Sequence, residues 1–164
     1  MRWKVGLLTA SDRGSRGERE DTSTQVIREL VDEELYGEIV DYRVVPDEIP
    51  DIAAAIIEMT DYYHADLVLT TGGIGMAPRD VTPEATLKVL ERLAPGIAEA
   101  MRAGALRKSP DAALTRGIAG IRGRSLVVNL PATPEGVHLY LSAVLPLLPE
   151  ALRAVTGSGE GDAS

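Results

Sequence analysis

The feature that most constrains the fold is a strand-to-helix unit that occurs twice. The apolar segments LVLTT (67–71) and LVVNL (126–130) each run into a loop that ends in Thr-Pro, at 82–83 and at 133–134. Threonine favours the cap position of a helix and proline favours its first turn, so each loop predicts a helix start. Apolar segments that alternate with helical patterns indicate an α/β domain with a mostly parallel sheet and helices on both faces.

The rest of the chain continues this alternation. Segments 11–21 and 108–116 are polar and are predicted to be loops. The predicted strands are 4–10, 38–45, 65–71, a short strand within 117–122 and, after a Gly-Arg turn, 125–130.

Apolar residues at helical spacing predict the helices between these strands. The predicted helices are one after a Thr22–Gln25 capping box (Val26, Ile27, Leu30, Val31, Leu35), one from Pro50 (Ile52, Ile56, Met59, Tyr63), one capped by Thr82 (Leu87, Leu90, Leu93), one over 95–107 and a last one capped by Thr133 (Val137, Leu141, Val144, Leu145, Leu148).

Composition narrows the function classes. The net charge of −8 disfavours binding to nucleic acid or to an acidic membrane, so neither partner is expected. Without cysteine, a disulfide scaffold, a thiolate metal site and a cysteine nucleophile are excluded. No run of about 18 apolar residues and no signal segment occurs, so a cytoplasmic protein is expected. A single domain is predicted over 1–155, followed by a disordered tail at 156–164.

The segment TTGGIG (70–75) concentrates glycine where the backbone can approach a ligand, and it opens a loop that runs to Asp80, named the glycine loop. Glycine has no Cβ, and a helix start follows, so the loop suits a phosphate or another anion. It matches neither the P-loop nor the dinucleotide-binding spacing. The same glycines also fit a tight turn that binds nothing.

Two aspartates follow strand ends and can face one cleft, because ligands bind beyond the carboxyl ends of the strands in open α/β sheets. Asp80 lies at the end of the glycine loop, and Asp47 follows the second strand in VPDE. Mg²⁺ binds through one or two carboxylates together with phosphate oxygens, so both residues are candidate metal ligands. The alternatives are an ion pair of Asp80 with Arg79 and ordinary helix capping by either acid.

Other strand ends carry further polar residues. Ser11 and its arginine-containing loop SDRGSRGE (11–18) can hold a phosphate or form a solvated charged loop. Asn129, in NLPATPE (129–135), can bind a second anion or the polar edge of a ring, or can belong to a plain strand-to-helix connection. His64 and His138 match no ligand or triad spacing and are interpreted as structural. The residues alone therefore predict a Mg²⁺-dependent, phosphate-handling α/β enzyme.

Five segments together resemble the molybdopterin adenylyltransferase family of molybdenum cofactor biosynthesis, which includes the G domain of gephyrin. The segments follow the family's order and span nearly the whole chain. They are LTASDRGSRGEREDTS (8–23), VPDE (45–48), DLVLTTGGIGMAPRDVTPEAT (66–86), LTRGIAGIRG (114–123) and LVVNLPATPEGV (126–137).

The resemblance implies a three-layer α/β/α fold and a specific reaction. The family transfers AMP from ATP to the terminal phosphate of molybdopterin with Mg²⁺ and releases pyrophosphate. The family forms homotrimers or homohexamers, and a downstream molybdenum insertase takes the adenylylated product. Asp47 and Asp80 match the family's functional acids and are expected to be the catalytic and Mg²⁺-binding residues. The expected nucleotide- or molybdopterin-binding residues are Ser11, Thr70, Thr71, Gly72, Gly73, Gly75, Asn129, Pro131, Ala132 and Thr133.

Two positions depart from the family pattern and leave alternatives open. Ile74 replaces a usual threonine, which removes a hydroxyl, and Ala132 replaces a usual glycine, which is costly if φ is positive there. One alternative is a non-catalytic paralogue that binds molybdopterin. The other is a related domain with pyridine-nucleotide or ADP-ribose hydrolase chemistry, which usually comes fused to another domain.

Overall fold

The computed structural model describes residues 2–158. Its strands are β1 (Trp3–Ala10), β2 (Gly37–Val45), β3 (Leu67–Thr71), β4 (Arg92–Leu93), β5 (Ala119–Arg122) and β6 (Ser125–Leu130). They form one six-stranded sheet with the order β2-β1-β3-β6-β5-β4. The pairs β1–β2, β1–β3 and β3–β6 are parallel, and β5 is antiparallel to both β6 and β4. Four strand ends therefore meet at one edge of the sheet.

Helices cover both faces of this sheet, as predicted. They are α1 (Asp12–Ser15), α2 (Ser23–Leu30), α3 (Ile49–Ile57), α4 (Thr82–Val89), α5 (Pro95–Leu106), α6 (Pro134–Val144) and α7 (Leu148–Thr156). Single π-helical turns at Val31–Leu35 and Glu58–Tyr62 continue α2 and α3, and a 3-10 helix spans Pro110–Leu114.

The alternation of side chains along β1 divides the core into two layers. Val5 and Leu7 belong to the core beneath α2, α5, α6 and α7, whereas Leu8 and Ala10 belong to the core beneath α3 and α4. All four side chains are buried. Successive residues of a strand point to opposite faces, so a central strand that is covered on both sides must be apolar throughout. The three-layer α/β/α prediction is confirmed.

Two helix starts differ from the prediction. Thr22 has helical backbone angles and makes no capping hydrogen bond with its side chain, so the predicted capping box is absent. Thr82 is the first residue of α4, where it caps nothing and is fully buried. Its N–H donates to the carbonyl of Gly73 at 3.1 Å, which draws the residue inward. Only Thr133 caps as predicted, accepting a hydrogen bond from the N–H of Gly136 at 3.0 Å.

Both predicted loops contain short helices. Within 11–21, α1 forms because the hydroxyl of Ser11 accepts from the N–H of Gly14 at 2.9 Å and caps it. Within 108–116, a proline at the first position starts the 3-10 helix. The predicted last helix is interrupted between α6 and α7, where Pro146 lacks the N–H that a continuous helix needs.

Three residues of the apolar patterns that predict these helices are not buried. Tyr63, Leu87 and Leu93 are partly or largely exposed. The π-helical turn after α3 changes the helical period before Tyr63, and α4 ends at Val89, before Leu93. The predicted tail at 156–164 begins with the last residue of α7, and its part beyond Ser158 lies outside the described residues.

Within residues 2–158, no single helix has the length and apolar content of a membrane span. Only α6 and α7 taken together reach them by length and composition, and these two helices meet at a bend of 69°.

A buried amide joins the two central strands to α4. Nδ2 of Asn129 in β6 donates to Oγ1 of Thr70 in β3 at 2.9 Å and to Oγ1 of Thr86 in α4 at 3.1 Å. Oδ1 of Asn129 accepts from the N–H of Ile118 at 3.1 Å. Asn129, Thr70 and Thr86 are all fully buried. The cluster therefore fixes the position of α4, the helix that follows the glycine loop, against the sheet.

Asn129→Ala is expected to lower the free energy of unfolding by about 2–4 kcal/mol, because it removes three hydrogen bonds of a fully buried amide and opens a small cavity. Thr86→Val is the milder comparison. It keeps the side-chain shape and removes one partner of the amide, so it is expected to lower the free energy of unfolding by about 1 kcal/mol. Urea denaturation measures both. Equal losses in the two variants would contradict the assigned role of the amide.

Candidate active site

A cavity of about 240 Å³ opens at the edge of the sheet where β1, β2, β3 and β6 end. Its walls come from the end of β1, the 19–23 segment, the glycine loop after β3 and the 132–134 segment after β6. Both loops of the repeated Thr-Pro unit contribute to the walls of this cavity. They are joined by a hydrogen bond from Oγ1 of Thr71 to the carbonyl of Pro131 at 2.6 Å.

The glycine loop is packed against the protein's own atoms. Gly72 has φ +97, and a Cβ there would lie 2.4 Å from the carbonyl oxygen of Ala10. Gly73 has φ +69, and its Cβ would lie 2.3 Å from Oγ1 of Thr82. These contacts alone require glycine at both positions, because a side chain would be strained and would clash.

Arg116 stabilises the glycine loop through contacts of its guanidinium. Its guanidinium donates to the carbonyls of Gly75 at 2.8 Å and Asp80 at 2.6 Å. It also pairs with Glu84 in α4 at 2.7 Å. The loop is therefore tied to the following helix through one planar cation, whose several donors suit this role. No pattern in the sequence indicates this contact.

Asp47 and Asp80 approach the glycine loop from two sides, and both line the cavity. Oδ1 of Asp47 lies 3.2 Å from the position that a Cβ on Gly73 would take, and Oδ2 of Asp80 lies 2.8 Å from the corresponding position on Gly75. The N–H of Ala77 donates to Oδ2 of Asp80 at 3.0 Å. The alternative ion pair of Asp80 with Arg79 is absent, since Arg79 pairs with Asp12 and Glu48.

Asp12 and Asp47 hold each other through reciprocal hydrogen bonds. The N–H of Asp12 donates to Oδ2 of Asp47 at 3.0 Å, and the N–H of Asp47 donates to Oδ1 of Asp12 at 2.9 Å. Burial raises the pKa of Asp47, and the charges of Asp12 and Asp80 raise it further. The hydrogen bonds from Arg79 lower the pKa of Asp12. Asp12 therefore stays ionised, while the charge on Asp47 costs free energy.

The predicted binding residues divide into two groups. Residues that line the cavity are Ser11, Thr71, Gly72, Gly73, Ala132 and Thr133. The cavity wall does not include the four others. Thr70 and Asn129 belong to the buried cluster beneath α4, Pro131 accepts the hydrogen bond from Thr71, and Gly75 lies beside Asp80.

A cluster around Asp21 also lines the cavity, although the sequence indicated only a polar loop there. Oδ2 of Asp21 accepts hydrogen bonds from Oγ1 of Thr9 at 2.7 Å and from the hydroxyl of Tyr42. Ser23 reaches both Asp21 and Thr71 at 3.3 Å. The only signals in the sequence were the polar Thr9 within an apolar strand and the acid before the first long helix.

The two departures from the family pattern have structural explanations. Within residues 2–158, Tyr36 and His64 are the residues other than glycine that have a positive φ. Ala132 is not among them. Alanine therefore causes no backbone strain at 132. Ile74 is 4% exposed and packs toward Gly117, where a Cβ would lie 3.3 Å from its Cδ1. Its side chain contributes to packing and does not face the cavity.

Neither histidine belongs to the cavity. His64 follows the π-helical turn with φ +55, and His138 lies on α6. In the described part of the chain, no group of three or more His, Cys, Asp or Glu side chains is placed to hold a metal ion.

Comparison with known proteins gives a family match. The family model described as "Probable molybdopterin binding domain" matches residues 6–150. The molybdopterin adenylyltransferase of Helicobacter pylori (strain J99) is 44% identical over 155 residues, which cover 94% of this chain and 88% of the relative. Gephyrin of Dictyostelium discoideum is 42% identical over 159 residues, which cover 92% of this chain and 22% of that protein.

Solved structures agree with these matches. The crystal structure of the molybdopterin biosynthesis enzyme MoaB from Thermus thermophilus superposes with a TM-score of 0.90 at 52% identity, covering 94% of this chain and 97% of that chain. The resemblance seen in the five sequence segments is thereby confirmed.

Gly72→Ala is expected to lower the free energy of unfolding by roughly 2–5 kcal/mol, from left-handed strain together with the clash against the carbonyl of Ala10. Gly17→Ala is the matched control. Gly17 has φ +72 but nothing within 4 Å of its Cβ position, so only the strain of about 1–2 kcal/mol applies. Urea denaturation compares the two, and equal losses would contradict the close approach at Gly72.

Asp47→Asn is expected to raise the Tm at about pH 7, because it removes a charge that the folded state disfavours. The pKa of Asp47 is higher in the folded than in the unfolded chain, so the cost is full above the folded pKa and disappears below about 4. The gain should therefore shrink as the pH falls. A lower Tm than wild type at about pH 7 would contradict this expectation.

Asp12→Asn is the control, because the opposite change in Tm is expected for it. The folded-state pKa of Asp12 is lowered, so its stabilisation is present above about pH 4 and is lost as the pH falls through the folded pKa. Asp12→Asn should therefore lower the Tm at about pH 7 and lose this effect in acid. Thermal denaturation from about pH 3 to 7 measures both variants.

Proposed function

Because the chain belongs to the family of probable molybdopterin binding domains, we propose that it is a molybdopterin adenylyltransferase of molybdenum cofactor biosynthesis. It transfers AMP from ATP to the terminal phosphate of molybdopterin and releases pyrophosphate. An oxygen of the molybdopterin phosphate attacks the α-phosphorus of ATP, and the bond from that phosphorus to pyrophosphate breaks.

One observation carries the proposal. Asp47 and Asp80 face the same glycine loop inside a cavity at the carboxyl edge of the parallel strands. Ligands bind at this edge in open α/β sheets, and the cavity has polar walls on several sides. Both partners in the reaction are phosphates, so the site must align two anions and offset their charge more than it must move protons.

The residues at the site fit a magnesium ion. The carboxylates of Asp47 and Asp80 both reach the glycine loop, and Mg²⁺ commonly binds one or two carboxylates and completes its shell with water and phosphate oxygens. Oγ1 of Thr82 is buried beside Gly73 and has no hydrogen-bond partner among residues 2–158. Asp47 and Asp80 would hold the ion, which when bound neutralises charge on the phosphates.

The chain's own residues orient the substrates. Gly72, Gly73 and the 132–134 segment form facing walls of the cavity, and Ser11 and Thr71 add hydroxyls. The cavity of about 240 Å³ is smaller than typical small-molecule sites of about 300–1,000 Å³, so a nucleotide extends beyond it. Assembly as a homotrimer or homohexamer would give such a ligand further contacts, and a downstream molybdenum insertase would take the product.

Asp80→Asn is expected to keep the fold and to lower kcat for adenylyl transfer by about 100- to 1,000-fold, because one of the two carboxylates that would hold Mg²⁺ at the reacting phosphates is lost. Asp111→Asn is the matched control, because Asp111 is exposed on the 3-10 helix and does not line the cavity. Turnover is measured from adenylylated pterin by mass spectrometry, and folding by circular dichroism.

The outcomes separate the candidate functions. Wild-type turnover in Asp80→Asn would contradict the assigned role of this carboxylate. Wild-type protein that binds molybdopterin without forming product would be the non-catalytic paralogue. Protein that neither binds molybdopterin nor forms product would share the family's fold without this function.

A further inference from the structure

We propose that Arg79 is a positioning residue that fixes the carboxylate of Asp47 by clamping Asp12. Its effect on catalysis rests on the proposed function, whereas its effect on the two loops does not. Arg79 lies directly before Asp80 in the glycine loop, yet its guanidinium reaches across to the loops that follow β1 and β2.

The first step is a bidentate ion pair. Nε of Arg79 donates to Oδ2 of Asp12 at 3.0 Å, and Nη2 donates to Oδ1 at 2.9 Å. Two parallel bonds between a planar fork and a carboxylate fix orientation as well as distance. The plane of the Asp12 carboxylate is therefore set by the glycine loop.

The second step passes this orientation to Asp47. Oδ1 of Asp12, which Arg79 holds, also accepts the N–H of Asp47 at 2.9 Å. The carboxylate of Asp47 in turn accepts the N–H of Asp12 at 3.0 Å. Each of the two loops thus holds the other through one side chain and one backbone amide. Arg79 adds the glycine loop to this pair through its contact with Asp12.

The third contact reaches the same side of the site. Nη1 of Arg79 pairs with Glu48, the neighbour of Asp47, at 2.7 Å. Arg79 thereby joins the segments after three parallel strands, β1, β2 and β3. Each of the three guanidinium nitrogens of Arg79 contacts a carboxylate of the protein, so the side chain is held by protein partners.

A direct role in binding phosphate makes a different prediction. A lysine is a point charge and would still attract a phosphate, but it cannot reproduce the fork that holds Asp12. Arg79→Lys therefore separates the two roles. The side chain of Arg79 is 55% exposed, and exposed ion pairs add little to stability, so this variant is expected to fold.

The clamp itself is tested by hydrogen exchange at the amides of Asp12 and Asp47 in the full chain. Faster exchange is expected at both amides in Arg79→Lys and in Asp12→Asn. Glu48→Gln is the matched control, because it removes the charge that pairs with Nη1 of Arg79 and leaves the pair with Asp12 intact. Wild-type exchange in Arg79→Lys would overturn the inference, whatever reaction the protein catalyses.

The catalytic consequence is tested with the same variants. Arg79→Lys should lower kcat for adenylyl transfer and raise the Mg²⁺ concentration for half-maximal activity, by about 10- to 100-fold overall, as for other residues that orient metal ligands. Glu48→Gln should stay within about two-fold of wild type. The double variant Arg79→Lys/Asp12→Asn should be no slower than the slower single variant, because both substitutions open one clamp.

Three results would overturn the inference. They are unchanged turnover with faster exchange, a raised KM for ATP at unchanged kcat, and losses that multiply in the double variant. If wild-type protein forms no adenylylated pterin, the proposed function fails, and the exchange data still decide whether Arg79 holds the two loops.

Discussion

Asp12, Asp47 and Asp80 lie at one edge of the sheet, and their mutual repulsion is the constraint around which the rest of the site is arranged. Partial burial raises the pKa of the Asp47 carboxyl, and the negative charges of Asp12 and Asp80 raise it further. The protein offsets the repulsion with one arginine and with backbone N–H groups donated to each carboxylate. These contacts hold the three carboxylates in place before any ligand binds, and such preorganisation is what the proposed reaction between two anions would need.

The sheet determines where these acids can be. Parallel strands β1, β2 and β3 direct their carboxyl ends to one edge, so residues distant in sequence, such as Asp12, Asp47 and Asp80, become neighbours. The glycine loop then turns sharply enough to bring Asp80 back toward Asp47. This turn requires glycine at 72 and 73, since a Cβ at either position would clash with Ala10 or with Thr82. The glycines therefore serve the protein's internal packing as well as the cavity.

Much of the fold could be predicted from the sequence, because strands buried on both faces are mostly apolar and the helices between them carry a clear period. Asp47 and Asp80 could be placed at the cavity because both follow such strands. Asn129 also lies near the end of such a strand, but a strand's last residues alternate between faces, so its amide contacts Thr86 in α4 and does not line the cavity. Its role in binding ligand stays a prediction. The cap expected at Thr82 was wrong because tertiary contacts draw that residue inward. The pairs of Arg79 with Asp12 and of Arg116 with Glu84 link segments far apart in sequence, so no local pattern predicts them.

The most direct test follows the α-phosphorus of ATP. Wild-type protein is mixed with molybdopterin, Mg²⁺ and ATP labelled at the α-phosphate, with an EDTA control, and the label is located by chromatography and mass spectrometry. Transfer of the label to the pterin, with one pyrophosphate released per transfer and none in EDTA, is the predicted result. Label that remains in ATP, or that leaves as free AMP while the pterin stays unmodified, would contradict adenylyl transfer by this site.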